Sequence, residues 1–303
     1  MRYGLLCALP VIMFILPFYV HADDTSEKTD LTYIFASTLE TKLTLRKEYR
    51  IPLLNGDTVL TRGNNFTFSC RGEISPVSVN AGMNGVLTPL AFMEIDAGAK
   101  IGTGWNIGIA HGLSKNRRAG EHGRSLTGKS FIGAVHQEYF GAALQFDTGE
   151  VIEGRWTHLL FRTYHQGYYK GLTSADKKES WLWEADEGEN RNGWHYYSHY
   201  ILGYKIPYAL DVIVFMLEAE RSYYDIPSWS HSDDNQWRYK FSNILHYRIS
   251  DKTGVSFITQ IRTVPNYTEE TGDYGFYQTR EINRHKKRKW EFYRVALELK
   301  HEF

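Results

Sequence analysis

The sequence predicts an all-β fold, an up-and-down antiparallel transmembrane β-barrel of about twelve strands, within a range of about ten to fourteen, with several long loops. Three observations carry this. Long segments alternate apolar and polar residues with period two, as strands with unlike faces do. Of 303 residues 15% are aromatic, including 21 Tyr and 8 Trp, side chains that favour boundaries between apolar and wet surroundings. An export signal opens the chain, yet the most apolar later stretch, "LDVIVFML", falls far short of the ~20 residues a spanning helix needs. A closed barrel is the remaining way for such a chain to cross a membrane.

Composition narrows the function classes. Lys and Arg number 35 and so do Asp and Glu, so no basic excess points to nucleic acid. With 42% hydrophobic and 23% charged residues, general disorder is excluded. Residues 1–22, "MRYGLLCALPVIMFILPFYVHA", read as a secretory signal: Arg2 is the positive start, 4–20 the apolar stretch, and Val20-His21-Ala22 the cleavage site. The mature barrel is then expected to span 23–303, beginning at Asp23. Cys7 lies in the leader, so Cys70 is left without an intrachain disulfide partner.

The first mature segment, "LTYIFASTLETKLTLRKEYRIP", reads as one strand, with Leu31, Tyr33, Phe35, Leu39, Leu43 and Leu45 opposed to Thr38, Glu40, Lys42, Thr44 and Arg46. Further strands are expected near 64–75, 77–87, 90–103, 134–148, 154–168, 193–206, 209–222 and, with poorer alternation, 273–284. "WRYKFSNILHYRI" and "VSFITQIR", joined by "SDKTG", form the clearest hairpin. Its apolar face holds Trp237, Tyr239, Phe241, Tyr247, Val255 and Phe257; its charged face holds Arg238, Lys240, Arg248 and Arg262. "SWLWE" at 180–184 suits a loop or a further strand. The last strand, "YRVALELKHEF", ends on Phe303. A soluble β-sandwich or lipocalin-like barrel is the alternative, but these segments run to the ~9–11 residues of membrane strands rather than the usual ~5–6. Lipid then covers the outer face.

That terminal strand resembles the signal by which outer-membrane assembly machinery engages bacterial barrels, carried here by Tyr293, Val295, Leu297, Leu299 and Phe303. His301, on the same face, departs from the pattern. The segments "LTRGNNFTF", "ISPVSVNAG", "LTPLAFMEIDAGAKIGTGWNI", "RWTHLLFRTYHQGYYKG" and "DEGENRNGWHYYSHYILGYKIP" resemble uncharacterised outer-membrane barrels of spirochetes, particularly treponemes. The resemblance implies export to the cell outer membrane, with lipid and the assembly machinery as partners. It brings no activity.

Enzyme chemistry finds little support. Outer-membrane phospholipases use a His-x-Ser arrangement; here His231 and Ser232 are adjacent, and strand neighbours face opposite ways. His195 and His199 share a face, but four residues along a strand is ~13 Å, too far to chelate one ion without a partner such as His165. "WEADEGENRNGW", with Glu184, Asp186, Glu187 and Glu189, matches no calcium loop and reads as a solvated loop with an Asn192-Gly193 turn. The sequons at Asn65 and Asn266 are chance matches in a bacterial chain, and "RHKKRK" (284–289) is a basic hairpin tip. No cofactor, metal site or catalytic residue is expected.

The polar faces carry the functional expectation. Glu40, Lys42, Arg46, Glu94, Asp96, Lys100, Glu218, Glu220, Arg238, Lys240, Arg248, Arg262, Arg294, Glu298 and Lys300 must be paired or hydrated inside the barrel. Eight strands leave a filled interior and sixteen a water channel, so twelve implies a narrow pore or a salt-bridged plug. The expected function is a narrow pore or transporter for small polar solutes, with a weak anion preference from Arg238, Lys240 and Arg248. The alternative is a non-conducting surface or adhesion barrel whose loops bind a partner. Twelve strands drawn in this way place the long connections, near 104–133, 169–192, 223–235 and 265–272, on the side of the termini, contrary to the usual arrangement.

Overall fold

Alternation of the kind just described becomes twelve long strands in a computed structural model that describes residues 25–108, 110–116, 126–176, 178–184, 190–224, 226, 235–268, 282–283 and 285–303. In chain order the first strands are β1 (Ser26–Ala36), β2 (Thr41–Pro52), β3 (Asn65–Ser75), β4 (Ser78–Leu90) and β5 (Met93–Gly104). Two short strands follow, β6 (Leu113–Asn116) and β7 (Leu126–Gly128), then β8 (Val135–Asp147), β9 (Leu159–Leu172) and the short β10 (Trp181–Trp183). The chain finishes with β11 (Gly193–Lys205), β12 (Leu210–Ser222), β13 (Arg238–Arg248), β14 (Thr253–Val264) and β15 (Lys289–Glu302). All strands but β6, β7 and β10 form one antiparallel barrel, closed where β1 pairs with β15 from Asp30 opposite Glu302 to Ala36 opposite Ala296. The leader and Asp23 lie outside the described residues.

The apolar face of each strand points outward. Phe35, Leu43, Phe140, Leu202, Phe215, Phe257 and Leu297 are all exposed, an arrangement that water would penalise and lipid would not. The charged face points to the concave side. Contacts there skip a strand: Arg162 on β9 bonds Glu94 on β5 at 2.7 Å across β8, and Lys100 on β5 meets Glu73 on β3 at 2.8 Å across β4. Second-neighbour strands lie ~9.6 Å apart, so such reaches require side chains that converge inside a closed wall.

Several expectations change. The segment 31–52 is two strands, β1 and β2, joined by a turn at Ser37–Glu40. The weak strand at 273–284 falls outside the described residues except for Ile282, which bridges to Tyr267, and Asn283; β14 pairs directly with β15, so no wall strand stands between them. These two differences cancel in the strand number and invert the topology. The long connections 105–134, 173–192, 223–237 and 265–288 lie at the end opposite the termini, as barrels usually arrange them. The basic run is not a tight hairpin tip: of its described residues, 285–288 end the last of these connections, where Arg288 donates to the Thr263 carbonyl at 2.8 Å, and Lys289 opens β15.

Candidate functional site: a strapped lumen

Twelve strands ~4.8 Å apart and tilted by ~40° make a backbone ring roughly 24 Å across, too wide for wall side chains alone to fill. At the end away from the termini, parts of two long connections fold inward instead. The strands β10, β6 and β7 form a small separate sheet in that order, with Trp181 opposite Lys115 and Trp183 opposite Leu113. Trp181, Trp183 and Leu113 pack with Val135 of β8 and Leu172 of β9 into a buried apolar cluster. Polar backbone at the junction is satisfied by Asn192, whose amide accepts from Leu172 N–H at 2.8 Å and from the Trp181 indole at 3.1 Å.

From this anchored cluster the chain crosses the mouth. Glu184, just past β10, takes hydrogen bonds from Ser78 at 2.5 Å and Asn80 at 3.0 Å on β4, and pairs with Lys42 of β2 at 3.2 Å. In the ring, β2 stands five places from β9, almost diametrically opposite. The described residues of 173–184 therefore make a strap, fixed to one wall by apolar packing and tied to the other by a carboxylate. Sequence reasoning had left 180–184 as a loop or a further strand, and β10 is that strand; the acidic run from Trp183 it had read as a solvated loop, of which Asp186, Glu187 and Glu189 lie outside the described residues.

Burial pushes the Glu184 carboxyl up, but the Lys42 charge and the hydrogen bonds from Ser78 and Asn80 together hold it below the usual carboxylate range. Lys42 is shared: Glu73 lies 3.8 Å away, and Glu73 also meets Lys100 at 2.8 Å and Arg71 at 3.7 Å. A cavity of ≈ 270 Å³ opens beneath the strap, between Lys42, Asn80, Lys100, Gln137, Lys170 and Trp183.

The residues singled out from sequence are placed as follows. Glu218 pairs with Lys240 at 3.0 Å, and Glu220, directly opposite Arg238, accepts the Tyr168 hydroxyl. Arg248 and Asp211 stand 3.8 Å apart, Arg262 and Glu291 3.5 Å, and Lys300 and Asp30 3.7 Å. Glu298 accepts from Ser256 at 3.5 Å. Arg294 bonds Gln260 at 2.6 Å and pairs with Glu40. Val295, Leu297, Leu299 and Phe303 follow the outer phase of β15, but Tyr293 does not. A bulge opposite Gln260 and Ile261 turns it inward, where its hydroxyl donates to Glu40 at 3.0 Å and Arg262 lies 4.1 Å above its ring.

His195 and His199 occupy the inner face, while His165 sits on the outer face beside Tyr196 and Tyr200 and so cannot complete a site with them. His231 and Ser232 lie outside the described residues. The Asn65 side chain is buried and bonded to Gly63, closed to a glycan. Sequence reasoning missed Arg71, Glu73, Lys170 and the role of Glu184. Arg71 and Glu73 stand in the polar phase of "NFTFSCRGEIS" and were legible there; Lys170 was lost because β9 was drawn to end at 168.

Fold and site together define a transmembrane β-barrel with a polar, strapped interior. No protein-family model matches the chain, and no curated protein does. Solved structures similar in outline include the KdgM porin, at 9% identity over 91% of this chain and 99% of that one, TM-score 0.42. The NanC porin is similar at 9% identity over 91% and 98%, TM-score 0.44. OmpT of Vibrio cholerae is similar at 7% identity over 92% and 97%, TM-score 0.37.

Proposed function

We propose that this protein is an outer-membrane pore for small polar solutes, narrowed at one mouth by the strap. The observation that supports it is the wall itself, apolar where it faces out and charged where it faces in. Charges of both signs are costly in a dry interior, and many here are half-exposed, as hydrated groups are. The strap occupies part of the mouth and leaves a cavity beside it, the form of a constriction rather than a seal.

Planar-bilayer recording of the purified, folded protein tests this. Stepwise conductance is expected, smaller than that of a wide water-filled barrel. Protein that inserts in heat-modifiable form but never conducts overturns the pore. The buried cluster of Leu113, Trp181 and Trp183 favours the second reading in that event, a plugged surface barrel whose loops meet a partner.

A further inference from the structure

The inner face of the barrel carries most of its aromatic rings on one side. Among the described residues, the tyrosines that point inward from the wall are Tyr139 on β8, Tyr164 and Tyr168 on β9, Tyr197 on β11, and Tyr293 at the bulge of β15. Strands β8, β9 and β11 are consecutive in the ring, so four of the five share one arc. Tyr168 is 7% exposed and stacks on His195 near the strap. Tyr139, Tyr164 and Tyr197 stay half-buried near the middle of their strands, and His199 joins them. Tyr164 stacks on His199 with ring centres 5.1 Å apart and meets Tyr197 edge-on at 6.4 Å. Two of these rings lie down along the wall instead of standing into the lumen. Tyr139 leans over Gly98 of β5 and Tyr164 over Gly141 of β8, so closely that a Cβ on either glycine would strike the phenol. Only glycine permits that approach. Hydroxyls are fixed as well: Tyr164 donates to Asp96 at 3.0 Å and Tyr197 to Glu218 at 2.9 Å.

We propose that this run of rings is a binding platform for an uncharged sugar on its way through the lumen. A pyranose has an apolar C–H face and a hydroxylated rim. Flat phenol faces match the first, and the Asp96 carboxylate, held in place by Tyr164, accepts from the second. The rings are set before a solute arrives, by the glycines beneath them and the hydrogen bonds at their ends, so little side-chain freedom is lost on binding. On the opposite arc, β1 and β2 send no aromatic ring inward, so the sugar is held from one side only. One-sided contact keeps binding weak enough for release, as conduction requires. The platform deepens the pore reading and rests on it for its role in transport, but not for the binding itself.

Cellobiose is the probe, with a polyethylene glycol of matched mass as a counterpart that lacks the sugar ring. Two measurements separate the claims: saturation-transfer NMR on the barrel folded in a detergent without sugar groups, and interruption of ion current in bilayers. Wild-type protein is expected to transfer saturation to the ring C–H protons of cellobiose and not to the polyether, and to show current interrupted by cellobiose beyond the effect of the polyether. Tyr139→Ala combined with Tyr164→Ala should weaken both signals by roughly tenfold, since two ring contacts are lost. Tyr139→Phe combined with Tyr164→Phe keeps the faces and should retain both, and heat-modifiable mobility confirms that each variant folds. Conductance with equal response to cellobiose and polyether, and no saturation transfer, overturns the platform and leaves the pore standing. Transfer that survives loss of both rings also overturns it. Ring-dependent transfer without conductance leaves the platform and removes the pore.

Discussion

Glu184 joins parts of the chain 142 positions apart when it meets Lys42, and the tie depends on its charge. A carboxyl whose folded value is lowered contributes stability that is present above its unfolded value, ~4.3, and lost as pH falls through the folded value. The strap should therefore hold at neutral pH and loosen in acid. Glu184→Gln keeps the shape and removes the charge, leaving Lys42 partly unanswered. At neutral pH this variant is expected to show the larger, noisier currents that wild-type protein reaches only in acid. Single-channel recording from neutral pH down through the carboxylate range checks it; superimposable profiles would mean the tie does not set the opening. On the outer face the decisive residue is Leu297, which is 51% exposed between Phe35 and Phe257 on the neighbouring strands. Leu297→Arg should cost about 2–4 kcal/mol if it lies near the bilayer midplane, measured as a lowered urea midpoint of the folded band. An unchanged midpoint would show that no lipid covers this face.

At the scale of elements, most of the barrel was legible because the wall strands run to 11 to 14 residues and most keep their two phases throughout. The error at β1 and β2 has a physical cause. Their connection, Ser37-Thr38-Leu39-Glu40, has four residues and so preserves the alternation across the bend, and neither Gly nor Pro marks it. Leu39 makes the turn itself at φ 61, a conformation leucine rarely adopts. The strap was half legible: a further strand at 180–184 was one of two readings, and β10 has three residues, too few for a period to decide between them. Its tie to Lys42 and Ser78 is a tertiary fact that no local pattern encodes. In β15 the alternation held except at Tyr293, because a bulge leaves the sequence pattern intact while shifting the phase of what precedes it. The rest of β15 still ends at the seam, where Phe303 N–H donates to the Thr29 carbonyl at 3.0 Å. Deleting Phe303 removes that bond and an exposed aromatic from the closing edge. A smaller heat-modifiable fraction in the membrane is the expected result; an unaltered band would show that closure does not need the terminal residue.

For the whole molecule, splitting the first segment turns an awkward topology into an ordinary one, and this makes orientation testable. The Glu302 N–H donates to the Lys252 carbonyl at 2.8 Å, so the turn between β13 and β14 shares an end with the C-terminus. Lys286 belongs to the connection between β14 and β15, at the opposite end with the strap. If the long connections face outward, as they do in barrels of this kind, the strapped mouth is the first part a solute meets. Single cysteines report this directly. Lys286→Cys and Lys252→Cys, each combined with Cys70→Ser, are exposed to a membrane-impermeant maleimide on intact cells. The Lys286→Cys protein is expected to label at once, and the Lys252→Cys protein only after the outer membrane is permeabilised. The reverse order would place the termini outside and make the strap an exit constriction, and equal labelling of both in intact cells would show that the barrel does not span the outer membrane.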